Sequence, residues 1–202
     1  MHPYTSDASD RKDAAWLAFV LAVASAPVLF AISESIGLAG WLVSAPTAPA
    51  TYVGLLLLYD RYLWKRGLIF WRSLPPDLTG EWHGTLTPAE PVPGGDEQIP
   101  VRARIQQDRT RISIRMDFPK SHSESISAEV RTSETDRAGL TYLYRSSPVA
   151  GRADNDMGMH TGAAWLRLKG LTALDGDYYN SPPRLRAGHI ELHRSDENGR
   201  GG

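Results

Sequence analysis

Two uncharged apolar segments near the N-terminus decide the architecture of this chain. They read AAWLAFVLAVASAPVLFAI over Ala14–Ile32 and LAGWLVSAPTAPATYVGLLLLY over Leu38–Tyr59. A helix rises about 1.5 Å per residue, so each segment is long enough to cross a hydrocarbon core of about 30 Å. After Pro76 the pattern changes to short strands separated by turn residues. The sequence therefore predicts a membrane-anchored all-β protein, in which a two-helix transmembrane hairpin precedes a compact β domain.

Basic residues flank the two segments and are absent between them. Arg11 and Lys12 precede the first segment, and residues 33–37, which join the segments, contain no Lys or Arg. Basic residues accumulate on the cytoplasmic side of a membrane, so both termini and the β domain are predicted to be cytoplasmic. The basic residues that follow the second segment are Arg61, Lys65, Arg66 and Arg72.

Two other interpretations of the first segment stay open. Arg11 and Lys12, followed by an apolar stretch with Ala22-Val23-Ala24 or Ala24-Ser25-Ala26, also fit a cleaved signal peptide. A buried hairpin of a soluble protein is less favoured, because nothing else in the chain would cover two helices that are hydrophobic all round.

Differences in composition divide the rest of the chain into two tails, a linker and a β domain. Residues 1–13 are predicted to form a cytoplasmic tail with a disordered Met1–Asp10, 60–77 a juxtamembrane linker, 78–195 the β domain, and 196–202 a disordered tail. The 202 residues include no cysteine and carry a formal charge of −1. These values exclude a disulfide framework and argue against a DNA or RNA polymer as the partner.

The β domain contains eight short apolar–polar alternations between turns rich in Pro, Gly, Asp and Asn. Sequential strands with mostly short links favour an eight-stranded up-and-down antiparallel β-barrel, whose closure leaves no edge strand, with a β-sandwich as the alternative. An interior of this size holds side chains or one small ligand. The predicted strands are Gly80–Leu86, Val101–Gln107, Thr110–Phe118, Ser123–Thr132, Leu140–Ser146, His160–Leu168, Ala173–Tyr179 and Arg184–His193.

The predicted inner faces of several strands become polar or aromatic toward one strand end. Residues at alternate positions share a face, so Gln107 continues the face of Ile105, for example. Such an interior predicts a ligand pocket with an open mouth, although polar strand ends are often ordinary solvated rims. In the fourth strand, Ser123, Ser125 and Ser127 alternate with Ile126, Ala128 and Val130, so either the serines face outward or a bulge reverses the parity. The residues at these strand ends are Gln107, Tyr142, Tyr144, His160, Tyr178, Arg184 and Arg186.

Short motifs follow one another through the β domain in a characteristic order. They are Gly80-Glu81-Trp82-His83-Gly84, Ile105-Gln106-Gln107, Ser123-x-Ser125, Leu140-x-Tyr142-x-Tyr144, Met159-His160-x-Gly162-Ala163, Leu174-x-Gly176-x-Tyr178-Tyr179 and Gly188-His189-Ile190-x-Leu192-x-Arg194. With the hairpin in front, the chain from about Ala14 to Arg194 resembles the two-transmembrane, β-strand-rich effectors of the cyclic-oligonucleotide anti-phage systems (CBASS). One departure is Arg109, where an aromatic residue is expected.

The resemblance implies a minimal β-barrel receptor for a cyclic dinucleotide, which a nucleotidyltransferase makes on phage infection. It also implies a location in the bacterial inner membrane, with the lipid bilayer as a partner. Binding would drive formation of a homo-oligomer, disruption of the membrane and death of the infected cell (abortive infection). The cyclic dinucleotide would be an activating ligand, and no cofactor is expected.

The expected site combines strand parity with the chemistry of such a ligand. Arg184 and Arg186 would pair with its phosphates. Aromatic rings would stack on its bases, for about 1–3 kcal/mol per base. The rings are Trp82, Tyr142, Tyr144 and Tyr178, and the groups that would read base edges or ribose hydroxyls are Gln107, Ser125 and His160. For Trp82, the stronger interpretation is a plug in the barrel floor.

Two other functions stay open. One is a membrane-tethered, lipocalin-like barrel that binds a different, apolar small molecule. The other is an enzyme, because His189-x-Glu191-x-His193 puts three potential metal ligands on one strand face. That face is opposite Ile190 and is therefore predicted to lie in solvent. The sequence has no nucleophile elbow, phosphate-cradling loop or zinc spacing, so no metal and no enzymatic activity are expected.

Overall fold

The computed structural model of the protein describes residues 1–37, 40–66, 74–90, 97–132, 138–151, 158–182 and 185–195. For residues 40–46 and 66, it describes the backbone only. The chain forms two compact units, one of Met1–Asp7 with the chain from Pro75 onward, and the other of Ala8–Leu74. Within the described ranges, the first unit is a closed barrel of nine strands and the second contains two long helices.

The helical unit contains α1 (Asp10–Ser35) and α2 (Gly40–Leu58), which pack against each other. A π-helical turn at Tyr59–Leu63 and a 3-10 turn at Trp64–Arg66 follow α2. Among the described residues, α1 is the one helix long and apolar enough to cross a membrane. The first predicted segment is thus confirmed as an apolar helix. The second lies mostly within α2, and part of it lies outside the described residues.

The two helices are held together at the end where α1 begins and α2 ends. The Arg11 guanidinium donates to the Asp60 carboxylate at 3.1 and 3.3 Å, and the Tyr59 hydroxyl donates to Asp10. Further along α1, small side chains let the helix backbones approach closely. These buried alanines, one per turn, are Ala14, Ala18 and Ala22.

The barrel contains the eight predicted strands, with their ends shifted by a few residues, and one more. Their bounds are β1 His2–Ser6, β2 Gly80–Pro88, β3 Ile99–Gln107, β4 Arg111–Asp117, β5 Ser121–Arg131, β6 Gly139–Pro148, β7 His160–Lys169, β8 Ala173–Asn180 and β9 Ala187–Arg194. In order around the barrel the strands are β1-β4-β3-β2-β9-β8-β7-β6-β5. Neighbouring strands are antiparallel, except that β1 lies parallel to β5.

The additional strand β1 comes from the segment that was predicted to be a disordered tail. β4 and β5 pair only over Arg115–Asp117, next to the turn that joins them. Beyond that point they separate, and β1 fills the gap: His2 and Pro3 lie antiparallel to β4, and Tyr4–Ser6 lie parallel to β5. Since Tyr4 also packs against the barrel core, the prediction of eight strands behind a disordered tail is wrong.

A bulge in β5 lies where β4 and β5 separate. The register shifts between Ser125 and Ser127, so Ser123 and Ala128 are both buried. The Ser125 hydroxyl accepts the backbone N–H of Ile114 at 2.9 Å and lies 2.7 Å from His2 Nε2. The bulge alternative is therefore confirmed, and Ser125 satisfies a backbone donor of β4.

The barrel has two unlike ends. At one end, which we call the strap end, the segment Pro76–Thr79 (the strap) leads into β2. The opposite end, the loop end, is where β2, β4, β6 and β8 finish and where β3, β5, β7 and β9 begin. Between the ends, aliphatic side chains at most 2% exposed fill the interior, among them Ile105, Ile112, Ile114, Val130, Leu140, Leu166, Leu174 and Leu192.

Replacing Ser125 by Ala should destabilise the barrel by about 1–3 kcal/mol, because the Ile114 N–H loses its acceptor. Ser127→Ala is the matched control, since Ser127 is exposed on the same strand. Thermal unfolding of the full chain in detergent measures both. Equal stability of the two variants would contradict the role assigned to Ser125.

Candidate functional site

Gln107 and Trp82 lie at the strap end, where they hold the strap in place. Gln107 accepts the Leu78 N–H at 2.8 Å and donates to the Pro76 carbonyl and the Tyr4 hydroxyl, each at 3.2 Å. The fully buried Trp82 donates its indole N–H to the Leu78 carbonyl at 3.0 Å. Both side chains are therefore engaged within the protein, and the complete burial of Trp82 is what a plug in the barrel floor would require. A direct role of either residue in a ligand site stays a prediction.

Arg194 also holds the strap at this end of the barrel. Its guanidinium lies 5.2 Å from the centre of the Trp82 ring and donates to the carbonyls of Asp77 and Thr79 at 2.8 and 2.6 Å. Ser125 lies in the barrel wall beside β1 and is likewise used by the fold. Of the nine predicted site residues, three thus make their observed contacts within the fold, and Arg184 lies outside the described residues.

The loop end brings two predicted tyrosines together, each opposite a glycine. Tyr144 of β6 pairs with Gly162 of β7, and Tyr178 of β8 pairs with Gly188 of β9. A Cβ atom on Gly162 would lie 2.4 Å from Tyr144 Cζ, and one on Gly188 would lie 2.7 Å from Tyr178 Cε1. The glycines of two sequence motifs therefore make room for two aromatic rings at the mouth of the barrel.

The tyrosine hydroxyls in this region are neutral hydrogen-bond donors. Tyr144 donates to the Asn180 side-chain oxygen at 2.7 Å, and the deeper Tyr142 donates to Met116 Sδ at 3.3 Å. Burial raises the pKa of Tyr142, and burial together with Tyr178 raises the pKa of Tyr144. Burial therefore favours the neutral form of the Tyr142 and Tyr144 hydroxyls.

Inward-facing polar residues that the sequence interpretation missed complete this layer. Ser123 and Ser146 are cross-strand partners on β5 and β6, both buried, and Asn180 ends β8. Ser146 follows Tyr142 and Tyr144 with a period of two, and Asn180 follows Tyr178 in the same way. Strand parity was therefore the signal that could have identified both.

The connection into β9 places a cation at the mouth. Arg186 is exposed, and its carbonyl accepts the Asn180 N–H at 2.7 Å. The preceding Leu185 has φ of 27°, in the region that non-glycine residues rarely adopt. His160, at the start of β7, is half-buried, and its Nδ1 lies 3.2 Å from the Gly158 carbonyl. The loop end thus combines aromatic rings, hydroxyls, an amide, an imidazole and a guanidinium.

The two histidines of the His189-x-Glu191-x-His193 motif lie on the outer wall of the barrel. His189 bridges Asp175 and Asp177, with N–O distances of 2.7 and 3.0 Å, and His193 lies 3.4 Å from Glu191. In the described part of the chain, no group of three or more His, Asp or Glu residues is arranged to hold a metal ion. The His189 cluster therefore has the character of a surface ion-pair network, to which Lys169 contributes a contact with Asp175 at 2.9 Å.

Comparison with known proteins found a matching family model and a related protein. The family model described as Cap15, cyclic dinucleotide receptor domain, matches residues 73–194, which include the strap and β2–β9. The CD-NTase-associated protein 15 of Yersinia aleksiciae is 27% identical over 150 residues, which cover 73% of this chain and 69% of that protein.

Gly162→Ala should destabilise the barrel by about 1–3 kcal/mol, because its Cβ would overlap the Tyr144 ring and the Tyr179 carbonyl. The near-ultraviolet circular dichroism of the tyrosines should change as well. Gly158→Ala is the matched control, since a Cβ there meets nothing within 4 Å. An unfolding midpoint for Gly162→Ala equal to that of the control would show that the ring does not depend on the glycine.

The His189 cluster predicts how barrel stability depends on pH. The hydrogen bond with Asp177 raises the pKa of His189, so its contribution is complete below about pH 6.5 and is lost as the pH rises through the raised pKa. The hydrogen bond from Lys169 lowers the pKa of Asp175, whose contribution is lost as the pH falls below about 3.9. Thermal unfolding between pH 6 and 8 should therefore show a small loss of stability that His189→Gln abolishes. An unchanged pH profile in the variant would contradict this.

Proposed function

This chain belongs to the family of the Cap15 cyclic dinucleotide receptor domain, and we propose that it binds a cyclic dinucleotide at the loop end of its barrel. The observation that carries the proposal is the layer of inward-facing polar and aromatic side chains at that end, above an interior of aliphatic residues. Its members are Ser123, Tyr144, Ser146, His160, Tyr178 and Asn180, with Arg186 at the rim.

The chemistry of this layer suits the parts of a cyclic dinucleotide. Such a ligand has two phosphodiester anions, for which Arg186 and the sequence neighbour Arg184 are fork-shaped donors. Its two bases offer faces for stacking on Tyr144 and Tyr178, and edges for hydrogen bonds with Asn180. Because burial raises the pKa of Tyr144, its neutral hydroxyl does not repel a phosphate.

The packed interior favours ligand binding at the mouth of the barrel over binding at its centre. An apolar-ligand carrier of lipocalin type needs a hollow interior, whereas aliphatic side chains fill this one below Tyr142. A ligand at the mouth contacts polar groups and little apolar surface. The geometry therefore favours an anionic, base-containing ligand over the apolar alternative.

We further propose that the protein is a CBASS effector rather than an enzyme, in line with the family of its receptor domain. On binding a messenger made by a nucleotidyltransferase, copies of the chain would assemble in the inner membrane and disrupt it, which kills the infected cell. The apolar helix α1 supports a membrane anchor. We propose that α2 is its second pass and that both termini lie in the cytoplasm, as the flanking basic residues predict.

Binding should depend on Arg186. Titration of the full chain in detergent with a panel of cyclic di- and trinucleotides should identify one that binds with micromolar affinity or better. Arg186→Ala should weaken that binding about tenfold or more, because a charge-assisted hydrogen bond contributes about 1.5–3 kcal/mol. Arg102→Ala is the control, since Arg102 is exposed on the outer wall of β3. Failure of a folded protein to bind any nucleotide in the panel would refute the receptor proposal.

The two-pass topology predicts a clear labelling pattern. The chain has no cysteine, so single substitutions report accessibility without background. In spheroplasts, a membrane-impermeant maleimide should label Ser35→Cys, at the C-terminal end of α1, but should label Arg102→Cys only after lysis. Labelling of Arg102→Cys in intact spheroplasts would place the barrel on the outer side and contradict the proposal.

A further inference from the structure

We propose that the slot between β4 and β5 is an interaction surface for a second copy of this chain, which fills it with its own β1. This strand exchange deepens the proposed assembly, and rests on it, by naming the element through which copies join. The slot is the gap that opens between Arg111–Ile114 of β4 and Ala128–Val130 of β5.

The slot recognises an extended segment through several specific contacts. The Tyr4 N–H donates to the Thr110 carbonyl at 3.2 Å, and the Tyr4 hydroxyl accepts from Gln107 at 3.2 Å. Just beyond β1, the Asp7 carboxylate accepts the backbone N–H and the hydroxyl of Thr132 at 2.6 and 2.7 Å. Because these contacts require the spacing from Tyr4 to Asp7, the N-terminus of another copy is the partner that the slot fits best.

β1 is held more weakly than the other strands. It has five residues, none of which is fully buried, and Pro3 has no N–H to donate to β4. It pairs with β4 through two residues and with β5 through three. The strand can therefore leave the barrel at a lower cost than any strand whose alternate side chains lie in the core.

An empty slot is an unfavourable state. Without β1, the separated parts of β4 and β5 become edge strands with unpaired backbone groups, which pair readily with another chain. When β1 of a neighbour enters, it restores the contacts that were lost, so exchange costs little net interaction energy. Only the residues Asp7–Ser9 separate β1 from α1, and short hinge connections are among the places where exchange between copies occurs.

Exchange of this kind joins copies in one of two ways. Each copy donates one strand and accepts one, so two copies can exchange reciprocally and close as a dimer, or the exchange can run head to tail through further copies. In the head-to-tail case, the proposed assembly in the membrane would grow by one repeated contact. The sequence of β1 would be part of the effector machinery, although the family match begins only at residue 73.

A disulfide between two differently tagged full-length copies tests this inference. One copy carries Thr5→Cys and the other Glu129→Cys, two positions that are cross-strand partners. Both copies are expressed in one membrane, with and without the cyclic dinucleotide panel, and oxidised. Since the chain has no cysteine of its own, a Thr5→Cys–Glu129→Cys disulfide between the tags forms only when β1 of one copy lies in the slot of the other. Peptide mass spectrometry identifies it.

The control pair is Thr85→Cys and Glu191→Cys, cross-strand partners on β2 and β9, which remain within one copy. The inference predicts an inter-copy disulfide for the β1 pair several-fold above this control. Copies that associate without it, or that do not associate at all, would overturn the inference. Nucleotide titration of the same preparations keeps the two proposals separate: binding without exchange refutes strand exchange alone, and exchange without binding refutes only the receptor proposal.

Discussion

The filled interior of the barrel is the constraint on which the rest of the structure depends. A closed barrel of this size has room for its own side chains, and aliphatic residues occupy that room. Specific recognition is therefore confined to the two ends. The strap end is closed by Trp82, Gln107 and Arg194, whose polar atoms bind the strap. The loop end remains, and there the glycines opposite Tyr144 and Tyr178 let polar and aromatic groups share one layer.

The same closure explains why the N-terminus belongs to the barrel. β4 and β5 separate after a short pairing, and a barrel cannot stay closed across unpaired backbone. Ser125 supplies one side-chain acceptor at the point of separation, and β1 supplies the remaining partners. Three residues separate β1 from α1, so the strand that fills the gap between β4 and β5 is also the strand joined to the apolar helix.

Much of the fold could be predicted from the sequence. Period-two alternation located β2–β9 to within a few residues, because half-buried strands impose that period on their side chains. β1 was missed, since the alternation over His2–Ser6 is too short and too polar to be recognised without its partners. The same alternation also predicted which side chains of these strands face the barrel interior. It grouped Gln107 with Tyr144, however, although adjacent antiparallel strands run in opposite directions. The last residue of β3 and the end of β6 therefore lie at opposite ends of the barrel, and only the strand topology separates them.

Hydrogen–deuterium exchange of the full chain, with and without a saturating cyclic dinucleotide, tests the position of the site most directly. The account predicts that exchange slows mainly at the loop end, in residues 118–123, 158–162, 180–182 and 185–188, and stays unchanged around the strap and Trp82. Slower exchange confined to the strap end, or spread through the aliphatic interior, would contradict the central claim that only the loop end recognises the ligand.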